Sequence, residues 1–260
     1  MHKKSWLSSL LLPCWVFGVY LFLYIPLFVL ILFSFNKVEF PYRWVGFSWR
    51  WYHELFNSSE IWQAAFHSFI VGICAVFLSL LIGLLFVLWN AQQKSDRLLT
   101  FFYSNLIVPE IVLTVGLLSF FVFFNVPLGL MTVIIGHSLL GLGYTIPILH
   151  ASFSALDKKM IEASLDLGAT YQQTFFKVIV PALMPSILAA GLLVFILSLD
   201  DFLIAFFCAG SSAQTLPLYI FAMIRSGVSP IVNALATIML VVSSILVIAF
   251  CSLQIRERIW

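Results

Sequence analysis

The sequence predicts an all-α membrane protein with six transmembrane helices. Hydrophobic residues make up 62% of the chain and charged residues only 9%, whereas soluble domains carry roughly 25% charged residues. Mean hydropathy is +1.09. Helices are expected rather than a barrel, because backbone groups in lipid must be paired within the segment and barrel strands alternate in polarity. Six stretches without charge each exceed the ~20 residues that cross a bilayer core: residues 5–36, 61–93, 111–156, 178–199, 202–224 and 226–255.

The first apolar stretch is predicted to be a membrane span rather than a signal peptide. Lys3 and Lys4 precede it, but the stretch from Leu7 to Phe35 is far longer than a signal's apolar region. The chain is expected to form one transmembrane domain over residues 1–260. Its predicted spans are 9–35, 62–89, 99–124, 128–150, 181–207 and 231–253.

Two long apolar stretches need internal division. The turn signal Asn125–Gly129 divides 111–156 between spans three and four. Residues Gly210–Gln214 interrupt 202–224, which predicts the end of span five followed by an outer loop with a short apolar helix near Pro217. A seven-span arrangement, with 202–224 as a separate span, is the alternative.

The distribution of basic residues predicts the orientation. The six-span arrangement places nine basic residues on one side and four on the other. The positive-inside rule then puts both termini and the 151–180 loop in the cytoplasm. The nine are Lys3, Lys4, Lys94, Arg97, Lys158, Lys159, Lys177, Arg256 and Arg258, and the four are Lys37, Arg43, Arg50 and Arg225.

Residues 157–180 combine charge and helix signals between two apolar spans. Asp157 is placed to cap a short helix, and Gly168 permits a sharp turn into a second helix from Tyr171 to Val178. Pro181 is expected to open span five, where a missing backbone donor costs little. This pattern is typical of a surface that meets a soluble partner, and an amphipathic interfacial connector is the alternative.

The same stretch resembles the EAA loop of ABC-importer permeases. Ser164 replaces the second alanine of the motif, and Val178 and Val180 stand at its aliphatic positions. The resemblance implies a type I ABC importer permease fold whose cytoplasmic coupling helix binds an ATPase subunit. The residues implied in coupling are Glu162, Ala163, Ser164, Gly168 and Pro181.

Acidic residues within the spans are candidates for a substrate path. A continuous span three would place Glu110 roughly 18 Å into the membrane, beside a helix loosened by Pro109. Asp200 and Asp201 are expected near the outer end of span five, with only one of them facing a pore. Three acids, with no basic residue in the predicted spans, favour a cationic substrate. A paired or neutral buried carboxyl at Glu110, and a solvated pair at Asp200–Asp201, are the structural alternatives.

The remaining polar and aromatic residues carry weaker signals. Aromatic residues in the outer loop 36–60, among them Phe40, Tyr42 and Trp44, are typical of an interfacial belt, although some could stack on an amine. The histidines His67, His137 and His150 are isolated and are expected to be packing or interfacial groups. The four scattered cysteines, Cys14, Cys74, Cys208 and Cys251, predict no metal site. No phosphate-binding loop occurs, so the chain is predicted to be no enzyme and to hold no cofactor, with ATP bound by a partner.

Three segments are similar to the C-type membrane subunits of spermidine/putrescine importers: Leu197–Phe202, Leu216–Ile220 and Gly227–Thr237. Trp44, at the start of the aromatic segment ending at Tyr52, fits the same subunit and joins the candidate path. Glu110 departs from the Asp expected there but keeps the charge.

This resemblance implies a bacterial inner-membrane permease that pairs with a sibling permease, an ATPase dimer and an external polyamine-binding protein. Two alternatives remain: an importer of another small solute, such as a metal or a sulfated compound, and a proton-driven transporter that uses Glu110 as the proton carrier.

Overall fold

The computed structural model describes residues 6–38, 43–93, 96–227 and 230–258. Within these ranges the structure is helical, apart from loops and an isolated bridge between Asn36 and Phe47. Phe40, Tyr42 and the basic residues Lys3, Lys4 and Lys94 lie outside the described residues. The helices are α1 (Trp6–Ser34), α2 (Arg50–Asn57), α3 (Ser59–Gln93), α4 (Asp96–Ser104), α5 (Glu110–Phe123), α6 (Leu130–Ser154), α7 (Lys158–Asp166), α8 (Tyr171–Thr174), α9 (Val180–Asp200), α10 (Leu203–Cys208), α11 (Leu216–Ser226) and α12 (Pro230–Arg258), with a π-helical segment at Phe175–Ile179 between α8 and α9.

The described residues fall into two compact units. One is formed within residues 1–59 and 220–260, where α12 packs against α1 and α2. Trp51 anchors α2 in this unit, since its buried indole N–H donates to the Asn36 carbonyl. The other unit is formed within residues 60–219, where α6 packs against α9, α4 and α10, and α10 also packs against α5. The functional unity of 1–260 as one permease domain stays a prediction.

Five helices among the described residues are long and apolar enough to cross a membrane. They correspond to predicted spans one, two, four, five and six, at Pro13–Ser34, Ser59–Ala91, Leu130–Ser154, Tyr171–Asp200 and Pro230–Ile248.

The prediction of one continuous helix over 99–124 was wrong. This third segment consists of α4 and α5, separated by residues 105–109. Pro109 has no backbone N–H and disfavours a helical Val108, so the chain turns here instead of continuing. The N–H groups of Ile107 and Val108 both donate to the Ser104 carbonyl and close the turn. The third membrane segment is therefore discontinuous, and Glu110 begins its second half.

Span five also differs from the predicted bounds of 181–207. The continuous helical run that contains it extends from Tyr171 to Asp200 and includes α8, and the π-helical segment ends two residues before Pro181. The Val180 N–H donates to the Phe175 carbonyl, five residues back. The missing donor of Pro181 falls beside this widened turn. The span ends at Asp200 because Asp201 has extended backbone angles (φ −69°, ψ 123°).

The stretch 202–224 forms two short helices and not a seventh span. A turn at Gly210, with φ +61°, separates α10 from α11. Helix α11 is the short apolar helix that the sequence predicts near Pro217. The seven-span alternative is not supported, since α10 has 6 residues and α11 has 11.

The short helix α10 lies very close to α6. A Cβ atom at Gly136 of α6 would lie 2.5 Å from Cγ2 of Ile204, so glycine is what permits this approach. At the other end of α10, the buried Thr132 hydroxyl donates to the Cys208 carbonyl at 2.7 Å. These contacts hold α10 against α6 and thereby position Asp201, which directly precedes it.

Candidate functional site

The predicted coupling loop forms two capped helices joined at a glycine. Asp157 caps α7, since its carboxylate accepts from the Lys159 N–H at 3.0 Å, as the sequence predicts. Gly168 has φ +85°, in the left-handed region that favours glycine, and a Cβ atom added there would meet no non-adjacent atom within 4 Å. Thr170 then begins α8 with a reciprocal capping box to Gln173. The turn thus depends on backbone freedom at Gly168 and not on space.

Ser164 contributes a contact that the sequence did not reveal. Its hydroxyl lies 3.0 Å from the hydroxyl of Thr174, which is buried at the end of α8. This hydrogen bond joins α7 to α8 across the Gly168 turn. The alanine of the family motif has no hydroxyl, so the replacement adds a link between the two helices.

The coupling loop exposes large apolar side chains to its surroundings. No residue of α7 is buried, and Glu162 and Ala163 are both exposed. Leu167 is 89% exposed and Tyr171 is 82% exposed. A group of exposed large apolar side chains beside charged ones is typical of a protein interaction surface.

Asp200 and Asp201 have different surroundings. Asp200 is exposed, whereas Asp201 is buried at the junction of α9 and α10. The Asp201 Oδ2 accepts from the N–H groups of Ile204 at 3.1 Å and Ala205 at 3.3 Å, which caps α10. Its Oδ1 makes no hydrogen bond within the described part of the chain. A buried oxygen without a partner can accept a hydrogen bond from a ligand.

Glu110 lies beside Asp201. It is the first residue of α5, and its carboxyl interacts directly with that of Asp201. The positive end of the α5 dipole favours a carboxylate at this position. The depth of roughly 18 Å expected for Glu110 assumed an unbroken helix, and the break at Pro109 removes the basis for that figure. The structure therefore brings two of the candidate acids together through the packing of α10 against α5.

His137 is not the isolated packing residue that the sequence predicts. It lies on α6, and its imidazole is buried between two polar groups. Nε2 lies 3.0 Å from Asp201 Oδ2, and Nδ1 lies 2.6 Å from the Ser198 hydroxyl. The sequence carries no spacing signal for this contact, because the residues are distant in the chain and meet only when α6 packs against α9.

Trp44 belongs to the other compact unit. Its ring is 46% exposed and packs edge-on against Phe33, with centroids 6.5 Å apart. The neighbouring aromatic residues form their own packed cluster, which favours a structural role for most of them. This cluster consists of Phe35, Phe47, Trp49 and Tyr52.

Residues 80–257 match the family described as "Binding-protein-dependent transport system inner membrane component". This chain belongs to that family. The matched region includes the α7–α8 coupling loop, Glu110 and Asp201.

Curated relatives extend the similarity over most of the permease. The spermidine/putrescine transport system permease protein PotC of Haemophilus influenzae is 36% identical over 236 residues, covering 90% of this chain and 92% of the relative. PotC of Escherichia coli strain K12 is 35% identical, with 89% of each chain covered. The putrescine transport system permease protein PotI of the same strain is 33% identical, covering 84% of this chain and 82% of the relative. The resemblance to spermidine/putrescine importer subunits is confirmed.

Solved structures show the same fold. A chain of a bacterial ABC transporter involved in import of the acidic polysaccharide alginate has a TM-score of 0.72 at 14% identity, covering 98% of both chains. A second structure of a bacterial alginate ABC transporter, in complex with an alginate pentasaccharide-bound periplasmic protein, gives a TM-score of 0.70 at 15% identity, with 95% of this chain and 93% of that chain covered. The predicted type I ABC importer permease fold is confirmed, with its third segment discontinuous.

Family membership resolves two further expectations. The permease is a transport component of the inner membrane and not an enzyme, as predicted. The curated relatives, which are named as transport-system permeases, and the ABC importer permease fold together speak against the proton-driven alternative.

Proposed function

We propose that this permease is one membrane subunit of an ATP-driven polyamine importer and forms half of the translocation path. The observation that carries the proposal is the carboxyl pair of Glu110 and Asp201, in a chain whose relatives are named for spermidine and putrescine. The two carboxyls lie close enough to interact, so a substrate ammonium group could be held by both and could donate to Asp201 Oδ1, which has no hydrogen-bond partner among the described residues.

The substrate path in this proposal contains an acidic binding station and two further candidate groups. Glu110 and Asp201 form the station, and the exposed Asp200 offers a second charge one residue away. Trp44, in the other compact unit, stays a candidate because its exposed aromatic face is of the kind that attracts ammonium groups. Separate charged sites let a cation enter without being held too tightly to leave.

The coupling loop is the proposed contact with an ATPase subunit. Glu162 and Ala163 lie on the exposed surface of α7, while Ser164 and Gly168 set the angle between α7 and α8. Pro181, next to the π-helical segment, joins the loop to span five. ATP is bound by the partner, and movement of the loop would shift the permease between inward-open and outward-open states.

The complete importer would contain a sibling permease, an ATPase dimer and an external polyamine-binding protein. The family description itself specifies a binding protein, and the alginate importer structure includes a periplasmic protein. Bilayer lipid would cover the exposed apolar faces of the long helices. Both termini and the coupling loop would lie in the cytoplasm, on the side of the ATP supply.

Reconstitution of the whole importer tests the proposed substrate. The complex is placed in proteoliposomes with ATP at the coupling-loop face and binding protein at the other. Radiolabelled spermidine or putrescine is then followed into the ATP-containing compartment. We expect uptake that needs both ATP and the binding protein and is not reduced by excess metal ion or sulfated solute. ATP-dependent uptake of one of those solutes, with no polyamine uptake, would contradict the polyamine assignment.

The orientation predicts which introduced cysteines an impermeant reagent can reach in intact cells. In a background without the four native cysteines, a cysteine at Ser58 is expected to be labelled from outside. Cysteines at Ser95 and at the exposed Gln172 are expected to stay unlabelled until the cells are opened. Ser95 lies outside the described residues, and Gln172 provides the matched position within α8. Labelling of Gln172→Cys in intact cells would reverse the proposed orientation.

A further inference from the structure

His137 is placed to control the orientation of the Asp201 carboxylate. Its side chain is only 1% exposed, and that of Asp201 only 2%. The Asp201 Oδ2 is surrounded by His137 Nε2 and the N–H groups of Ile204 and Ala205. Within the described structure Oδ1 makes no hydrogen bond, and neither does His137 Nε2, whose approach to Oδ2 is a close contact of 3.0 Å.

The Ser198 contact determines which imidazole nitrogen carries a proton. Nε2 lies 3.0 Å from Oδ2, and an ionised carboxylate oxygen only accepts hydrogen bonds, so this close contact is favourable when Nε2 carries hydrogen. In the neutral ring Nδ1 then accepts, and the Ser198 hydroxyl donates to it at 2.6 Å. A hydrogen bond at one ring nitrogen commonly selects the tautomer that acts at the other.

We propose that His137 is a positioning residue of the substrate path: held by Ser198, it fixes the Asp201 carboxylate so that Oδ1 stays available to a substrate ammonium group. This inference rests on the proposed cation path and deepens it. His137 acts through Asp201, since Nδ1 is hydrogen-bonded to Ser198 and Nε2 lies against Asp201 Oδ2 at 3.0 Å. The backbone N–H groups of α10 hold Oδ2 from one side, and the imidazole holds it from α6.

A pair of amide substitutions separates the two contacts of His137. In His137→Gln the amide nitrogen can occupy the place of Nε2 and still donate to Asp201. In His137→Asn the shorter side chain reaches the place of Nδ1 and loses that donor. Each variant is purified in the whole importer, and ATP-driven spermidine uptake is measured per assembled complex in proteoliposomes.

We expect His137→Asn to lower uptake about tenfold, the size of effect expected when a buried charged group loses one polar partner. His137→Gln should recover most of the loss. Uptake by the double variant His137→Asn/Asp201→Asn should equal that of Asp201→Asn alone, because His137 acts through that carboxylate. Ser198→Ala is a smaller change and should give a milder loss of uptake. It replaces His137→Asn as the test if the His137→Asn complex does not assemble.

Several outcomes would overturn the positioning role. These are parental uptake by both His137→Asn and Ser198→Ala, equal impairment of the Asn and Gln variants, or a further loss when His137→Asn is added to Asp201→Asn. Glu110→Gln and Asp201→Asn are measured alongside. Parental uptake in those two would contradict the cation path itself, whereas strong losses there with a normal His137→Asn would refute only the positioning role.

Discussion

Glu110→Gln is expected to lower ATP-driven polyamine uptake at least about tenfold while the importer still assembles. The substitution keeps the side-chain shape and removes the charge beside Asp201. A polyamine loses water from each ammonium group in a narrow path, and that cost must be offset by a carboxylate. Loss of one charged hydrogen-bond partner corresponds to roughly 1.5–3 kcal/mol, or about 10–100-fold in rate. The measurement is initial uptake of radiolabelled spermidine per assembled complex.

Matched variants distinguish charge from shape at this site. Glu110→Asp keeps the charge, uses the residue expected in C-type subunits, and should retain substantial uptake. Asp201→Asn should be more harmful than Asp200→Asn, because Asp201 is buried beside Glu110 and Asp200 is exposed. Parental uptake by Glu110→Gln and by both Asn variants would refute the cation path, although the family assignment would stand.

Gly168→Val is expected to separate ATP hydrolysis from transport. At φ +85° a β-branched residue is strained, and for ordinary residues the left-handed conformation costs roughly 1–2 kcal/mol. The strain is of backbone origin, since the space around Gly168 is open. The chain would relieve it by changing the angle between α7 and α8, which displaces the proposed docking surface. We expect uptake to fall about tenfold, with membrane insertion unchanged and ATP hydrolysis no longer stimulated by the loaded binding protein.

Gly168→Asn is the matched control, because asparagine tolerates the left-handed region far better than valine. It should retain most of the coupled ATPase activity and uptake. Coupled transport at the parental level by a correctly assembled Gly168→Val complex would show that the turn is not needed for coupling. Equal losses in the valine and asparagine variants would instead assign the effect to the side chain and not to the backbone.

Local signals in the sequence were sufficient for the membrane segments and the coupling loop. A helix in lipid satisfies its backbone internally, so long apolar runs alone identified five spans that the structure confirms. Asp157 as a cap and Gly168 as a left-handed turn were also predictable, because both depend on residues within a few positions. The third span was harder. Pro109 was recognised as a loosening element, but the complete break depends on how residues 105–109 are accommodated between α4 and α5.

By itself the sequence determined the class of protein and the helix–turn–helix of the coupling loop, since these follow from composition and short-range spacing, and the resemblance of its motifs to known permeases indicated the family. Only the tertiary structure decided how the candidate acids are used. Asp200 is exposed and Asp201 is buried, although they are adjacent in the chain. Helix packing brings Glu110 against Asp201 and places His137 between Asp201 and Ser198. The physical reason is that these contacts depend on the close approach of α10 to α6 at Gly136 and on the packing of α6 against α9. No spacing along the chain encodes a contact between residues that meet only when separate helices pack.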